Sequence, residues 1–432
     1  MATYYIDISC TEKNNDGLSE QSPLCSCENL SLLPGDCVLF KCGSVIRGKL
    51  NNIGGTEDKP ITYSSYGTGE KPTFCGSVNL CDKSLWVEEE KNVWRCLSSE
   101  ICEAANLIFN NSDLCASLKW SKSELSKQGD FYDSCFGVLS EMKSGMTEHF
   151  LYLYSELNPA EYYTAIECAV CRDRSIASNG ENMIIKGLRF VYCGLHAIAG
   201  EGESRNILIE NCDFEYIGGA VYDPNKKIRY GNALEFWNVC ENVEVRDCRF
   251  YNIYDSAVTH QGGAECIPAK NFYIHDNLFI KCGMAAYEQR DKLPVNSRFC
   301  NNICVDAGEG FSKNGVIMPR MSEIWPQPMG HHVFLWRINE KSVGGSLEIS
   351  KNIFYNAPYG AAVYSIISEC AEEQISVNNN IYYTENKALL SRWRGKNCRD
   401  FLNYRKYESD CEYKKVNINH ILNIWKTERV KS

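Results

Sequence analysis

The sequence predicts an all-β solenoid of stacked coils with a small α+β subdomain inserted in it. The first observation is a ladder. Seven segments repeat apolar–x–x–(Asn, Cys or Leu)–x–(aromatic or Cys), starting at Ile185, Ile209, Val245, Ile274, Phe299, Ile349 and Val377. Their fourth positions are Leu188, Cys212, Cys248, Asn277, Asn302, Asn352 and Asn380; their sixth are Phe190, Phe214, Phe250, Phe279, Cys304, Phe354 and Tyr382. Returns at intervals of about 20–50 residues mark coils that bury their faces on one another. The second observation is another register, aligned after each aromatic. The third is a stretch near residues 101–175 that breaks the rhythm.

Residues 1–100 read as an N-terminal cap and first coils. Short β runs at Val38-Leu39-Phe40, Val45-Ile46-Arg47 and Pro60-Ile61-Thr62-Tyr63 alternate with turns at Pro34-Gly35-Asp36 and Tyr66-Gly67-Thr68-Gly69. Residues 101–175 read as the inserted subdomain. It has a polar helical patch from Lys119 to Gln128, and a strand pair at Phe150–Tyr154 and Thr164–Val170 joined by a turn at Asn158-Pro159. Residues 176–395 carry the ladder. The step from Ile185 to Ile209 is 24 residues and the next is 36, so Asp223–Tyr230 is an insertion, and residues 312–343 form a longer one. Long loops of a solenoid gather on one face, often the binding face. Residues 396–432 are charged and irregular, a C-terminal cap or tail.

Composition removes several classes. The 432-residue chain is 44% apolar with a net charge of −10, which argues against a nucleic-acid partner. No apolar run approaches the ~18 residues of a membrane span. The start, Met1-Ala2-Thr3-Tyr4-Tyr5-Ile6-Asp7, enters a strand with no basic-then-apolar signal. The expectation is a cytoplasmic protein, secretion being the alternative if a signal peptide has been removed. Of the 24 cysteines, Cys193, Cys212, Cys248 and Cys282 occupy ladder columns, where reduced Cys acts as a small hydrophobe and fits a reducing compartment. Cys25-x-Cys27, Cys168-x-x-Cys171 and Cys300-x-x-x-Cys304 lack a second pair that would complete four zinc ligands. No metal and no cofactor is expected, and the sequence does not set the oligomeric state.

The second register aligns Leu195-His196-Ala197-Ile198-Ala199-Gly200-Glu201 with Gly231-Asn232-Ala233-Leu234-Glu235-Phe236-Trp237. Asp255-Ser256-Ala257-Val258-Thr259-His260-Gln261 and Met284-Ala285-Ala286-Tyr287-Glu288-Gln289-Arg290 follow. Each has alanine third and a bulky apolar residue fourth. If Ile198, Leu234, Val258 and Tyr287 face inward, alternation turns the odd positions out. Ala197, Ala233, Ala257 and Ala286 would then floor a groove. Glu235, Glu288, Asp255, Thr259, Trp237, Gln261, Arg290 and Glu201 would wall it. Carboxylates and an aromatic around a floor of small residues suit a sugar; ordinary exposed polar residues on a sheet are the simpler account.

Glu235 and Glu288 share a column two coils apart, ~9–10 Å between backbones at a coil spacing of ~4.8 Å. Inverting glycosidases hold their carboxyls ~6.5–9.5 Å apart and retaining ones ~5–5.5 Å, so the pair fits inversion better. Asp255, one coil and four residues away from Glu235, comes out ~13 Å off and stands as the substitute carboxylate. His260, His196 and Asn232 fall at inward positions; for His260 a core histidine competes with a substrate-binding one. Arg229 and Tyr230 end the insertion before the groove strand and could reach into it, a solvated loop being the alternative. Glu181, Glu203 and His331-His332 have no column support.

Over residues 3–395 the chain resembles right-handed parallel β-helix proteins of the pectate-lyase-like superfold. The N-terminal matches are the Tyr-Tyr-Ile-Asp start, the Pro34-Gly35-Asp36 turn with Leu39-Phe40, and Ile61-Thr62-Tyr63 with Tyr66-Gly67. More narrowly, Arg229–Trp237 and Ile253–Gly262 are similar to bacterial β-helix proteins provisionally classed with the glycoside hydrolases. The resemblance implies a right-handed parallel β-helix acting on an oligo- or polysaccharide, with glycoside hydrolysis the expected activity. Motifs of other relatives are missing. The Asn-Thr-Asp, Asp-Asp, Gly-His-Gly and Arg-Ile-Lys of polygalacturonases do not occur, nor does the Arg-x-Pro-x-x-Arg of pectate lyases. Asp223-Pro224-Asn225 lacks the histidine of mannuronan epimerases. Lyase or epimerase chemistry and a non-catalytic carbohydrate-binding β-helix remain the alternatives, because this fold hosts several chemistries.

Overall fold

The structure is a computed structural model. It describes the chain except residues 13, 112–113, 136–148, 172–174, 201, 264–265, 311–329, 337, 339–343, 358–363, 367–373, 385–390, 394–395, 399–407, 409 and 431–432. Among the described residues, three long sheets of ten, ten and nine strands run side by side. One coil shows the plan: Glu181–Lys186 lies in the first sheet, Arg189–Val191 in the second and His196–Ala199 in the third. Each strand pairs in parallel with its counterpart one coil on, as in Ile185 with Ile209, Phe190 with Phe214 and Ile198 with Leu234. The expected right-handed parallel β-helix is the observed fold.

The ladder columns are the core. Ile185, Ile209, Val245, Ile274, Phe299, Ile349 and Val377 align one above another in the first sheet. In the second sheet the rings of Phe74, Phe190, Phe214, Phe250 and Phe279 stack at centroid spacings of 5.7, 5.4, 4.9 and 4.8 Å. Cys304 interrupts that column, and the same coil places Phe299 where its neighbours carry Ile. A large residue on one wall offsets a small one on the other, so core volume is kept.

The corner between first and second sheets explains the ladder's third position. Gly187, Asn211, Asp247, Asp276, Asn301, Lys351 and Asn379 all have φ between 51° and 66°. This left-handed conformation is cheap for Gly and tolerated by Asn and Asp. The fourth position follows the corner and turns into the core. The Asn277 side chain accepts the Cys248 N–H at 2.9 Å, and Asn302, Asn352 and Asn380 repeat the contact coil by coil. Glu408 takes the amide hydrogens of Asn380 and the Tyr382 hydroxyl at 2.6 Å.

The inserted subdomain starts earlier than its sequence suggests. Its two antiparallel-rich sheets run from Ser77 to Val170, so the strands Trp86–Glu90 and Val93–Cys96 belong to it rather than to the first coils. The patch expected to be helical holds only a 3-10 turn at Lys122–Glu124. Asn158-Pro159 opens a short helix, Pro159–Tyr162, whose first turn the Asn158 side chain caps. The strands Leu151–Tyr154 and Ile166–Val170 lie in different sheets instead of pairing. Beyond residue 395, Lys396–Cys398 and Glu412–Tyr413 extend the long sheets, and a helix spans Ile418–Val430.

Candidate functional site

The third sheet carries the candidate residues. Its strands Leu234–Trp237, Ser256–Gln261, Ala285–Arg290 and His331–Trp336 are in register. Leu234, Val258, Tyr287 and Val333 align and join the core. One residue further, Glu235, Thr259, Glu288 and Phe334 form the next column. Glu235 and Glu288 therefore share a column two strands apart, with Thr259 between them, as the alternation predicts.

The alanine floor does not form. Ala197, Ala233, Ala257 and Ala286 all pack into the core beside the apolar residue that follows each. They sit at or just before the strand starts, where the chain turns in from the second sheet, and two successive side chains face inward there. Strict alternation fails at such a corner, and only a small residue fits it. The carboxylates are not in an open groove either: Glu235 is 3% exposed and Glu288 fully buried. Half-buried Trp237 and Arg290 mark the edge where the row approaches solvent.

Buried carboxylates need donors, and both have them. Glu235 Oε2 accepts from Asn232 Nδ2 at 2.7 Å and lies 3.2 Å from His196 Nε2. The Asn232 backbone N–H donates to His196 Nδ1 at 3.0 Å. An accepting Nδ1 leaves the proton of neutral His196 on Nε2, facing Glu235. The amide of Asn232 is held in turn, because its Oδ1 accepts the Ser256 N–H at 3.0 Å. Glu288 is held differently. Its Oε1 is ion-paired to Arg290 Nε, and its Oε2 accepts from Ser256 Oγ at 2.8 Å. The Thr259 hydroxyl, between the two carboxylates in register, is buried and has no hydrogen-bond partner among the described residues.

His196 and Asn232 were expected to face the core, and they hold Glu235 instead. Ser256 and His331 share their column. The strand His331–Trp336 follows Ala285–Arg290 in this sheet, hidden in the sequence because residues 306–330 separate it from the coil before. That supplies the column support that the histidine pair lacked. His260 is a core histidine. Its Nε2 donates to the Asn238 carbonyl at 2.9 Å, Gln289 Nε2 lies 2.8 Å from its Nδ1, and burial pulls its pKa down to about 4. It is removed from the substrate-binding set.

Arg229 neither reaches into a groove nor stands in solvent. Its guanidinium donates to the carbonyls of Gly219 and Ala105 at 2.8 and 2.7 Å and lies 4.6 Å over the Tyr254 ring. It clamps the hairpin Ala220–Asp223/Ile228–Tyr230 to the inserted subdomain. Tyr230, beside it, packs edge-on against the His196 ring at 5.7 Å. Asp255 is buried one coil from Gly231, whose carbonyl takes its N–H at 3.2 Å. Gln261 is buried in register with Trp237. Glu201 lies outside the described residues. A surface depression of about 520 Å³ lies on the outer face of the first sheet, around Asn206, Asn242 and Tyr273, and another of about 320 Å³ around Arg47 and Ser77. Neither includes the two glutamates.

No family model matches the chain, and no curated protein matches it in sequence. Among solved structures, XylC in complex with xylose aligns over 90% of this chain and 68% of its own, at 12% identity and a TM-score of 0.52. A GH136 lacto-N-biosidase from Eubacterium ramulus aligns over 96% and 68%, at 14% identity and a TM-score of 0.51. Likeness at this identity is one of fold, and it is the fold the ladder predicts.

Proposed function

We propose that the protein hydrolyses a glycosidic bond in an oligo- or polysaccharide by two-carboxylate acid/base catalysis with inversion. One observation carries the reading: Glu235 and Glu288 face the same way in one column, two strands apart, with the unpartnered Thr259 hydroxyl between them. Two coil spacings make ~9–10 Å between backbones, which leaves room for a water between carboxyl groups.

Their partners divide the labour. The Arg290 guanidinium favours the charged form of Glu288, so Glu288 is the base that takes a proton from the attacking water. Glu235 has uncharged donors, His196 Nε2–H and the Asn232 amide, both on Oε2. Glu235 would be the acid that gives its proton to the glycosidic oxygen as the sugar–oxygen bond breaks. Water adds to the anomeric carbon from the opposite face, and the proton it loses ends on Glu288. Thr259 is placed to hold that water or a sugar hydroxyl. Trp237 would stack on a ring, Gln261 and Arg290 would meet hydroxyl or acidic substituents, and Asp255 is the substitute carboxylate.

XylC was solved with xylose and the Eubacterium ramulus protein is a lacto-N-biosidase, which supports a carbohydrate substrate on this fold. Incubation with an oligosaccharide panel tests the proposal. Hydrolysis yields new reducing ends without the ultraviolet absorbance of an unsaturated sugar. Absorbance would show elimination, and no product on any member would leave a binding protein.

A further inference from the structure

The inserted subdomain gathers a second set of chemical groups, away from the glutamates. A carboxylate oxygen of Asp133, the thiol of Cys135 and an imidazole nitrogen of His149 all lie within 4.8 Å of one another. His149 Nε2 is 2.9 Å from each Asp133 oxygen. Zinc bonds of ~2.0–2.3 Å place neighbouring ligand atoms roughly 3–4 Å apart, so three atoms within 4.8 Å of one another are close enough for one ion to draw together. The carboxylate is pre-oriented: its Oδ2 accepts the Ala104 N–H at 2.7 Å and its Oδ1 the Cys135 N–H at 2.8 Å. Backbone donors of this kind fix metal ligands in place. Asp133 and Cys135 are buried while His149 is partly open, which gives an ion a way in.

We propose that Asp133, Cys135 and His149 bind a divalent metal ion of the zinc class, and that the ion braces the inserted subdomain. Imidazole, thiolate and carboxylate together suit Zn²⁺ better than a hard cation such as Mg²⁺ or Ca²⁺.

The brace would lead toward the candidate site. Asp133 holds Ala104; the next residue, Ala105, accepts from Arg229; and Glu103 Oε1 accepts the Val221 N–H at 2.8 Å. Arg229 and Val221 belong to the hairpin that presents Tyr230 to His196. The ion would thus stiffen the support of the Glu235 partner without touching substrate.

The test uses the full chain, stripped with a chelator and titrated with Zn²⁺ and then Co²⁺. One ion per chain is expected, with a thiolate-to-cobalt charge-transfer band and a raised thermal midpoint. Cys135→Ser and His149→Gln should each weaken binding at least roughly tenfold, and Cys135→Ser should abolish the band. Asp133 is left intact because it satisfies two backbone N–H groups. No stoichiometric uptake, or uptake equal in both variants and wild type, overturns the proposal. The wild-type spectrum decides alone if a variant does not fold, since bound cobalt without a thiolate band is incompatible with this ligand set.

Discussion

Replacing Asn302 with alanine should loosen the middle of the β-helix more than its single side chain suggests. The Asn302 Oδ1 accepts two hydrogens from Asn277, one from the backbone at 3.0 Å and one from the side-chain amide at 3.1 Å. Its Nδ2 donates to the Ile274 carbonyl at 3.0 Å. Alanine leaves the two Asn277 donors buried and unpaired, at about 1–3 kcal/mol each, and removes a further bond of about 0.5–1.5 kcal/mol. The sum is roughly 3–7 kcal/mol. Native-state hydrogen exchange reads this locally, where melting of so long a chain would blur it. At 1.36 kcal/mol per factor of ten, the lower bound speeds exchange of the Asn277 amide by roughly a hundredfold. Amides of the first coils, such as Val38 and Phe40, should exchange as before. If the Asn277 amide speeds up less than about fivefold, or about 1 kcal/mol, the ladder bonds are not a main support of these coils and the reasoning fails.

Glu235→Gln and Glu288→Gln should each lower turnover on a cleaved substrate by about a hundredfold or more; if both variants stay active, the site lies elsewhere. Glu288→Gln should also lower the melting temperature, because it removes a charged partner from Arg290, whereas Glu235→Gln keeps the bond from the neutral Asn232 amide and should melt nearer wild type. The first sugar product, followed by NMR, should have inverted configuration; retention would make Asp255 the carboxylate to test. His260 is held neutral with a pKa of about 4 against an ordinary 6.5, so between those pH values the unfolded chain binds a proton that the folded one refuses. Stability should therefore fall as pH drops from 6.5 to 4, by about 3 kcal/mol from this group; an equally steep fall in His260→Gln would assign the loss to other groups. Alkylation of the unreduced protein in denaturant should find most of the 24 cysteines as thiols, in line with the 22 described ones, none of which is in a disulfide; several native disulfides would refute the expectation of a reducing compartment.

The ladder was legible because it repeats a demand of the backbone. A corner needing positive φ, a buried amide or thiol, and an inward aromatic recur at fixed spacing, and each has a residue signature. The positive-φ position was the signal overlooked: Gly, Asn or Asp stands there in six of the seven segments, from Gly187 to Asn379. The shared column of Glu235 and Glu288 could be read because they lie inside a strand, where alternation holds. Ala233 and His196 were misread because they lie at a corner, where it does not. The partners of Glu235 come from three coils, Asn179, His196 and Asn232, and no local pattern links them. His331–Trp336 was lost for another reason: an intervening insertion shifts the alignment without changing the sheet.

The asparagine ladder has a direction. Every rung passes its backbone N–H toward the C-terminal coil, from Cys248 through Asn277, Asn302, Asn352 and Asn380 to the carboxyl group of Glu408. Aligned bond dipoles add, as they do along an α-helix, and the acidic group sits at the hydrogen-bearing end. Such an array can grow. A duplicated Asn-bearing coil spliced between Asn277 and Asn380 would give and receive the same bonds as its neighbours, leaving nothing unpaired. Toward the N-terminus the chain of acceptors fades through the Cys248 sulfur, which takes the Cys212 N–H at 3.4 Å, to Leu188, which offers none. Lengthening by repeat duplication is therefore cheap in one half of the molecule and costly in the other, and a chain cut before Glu408 would leave its last rung pointing at nothing.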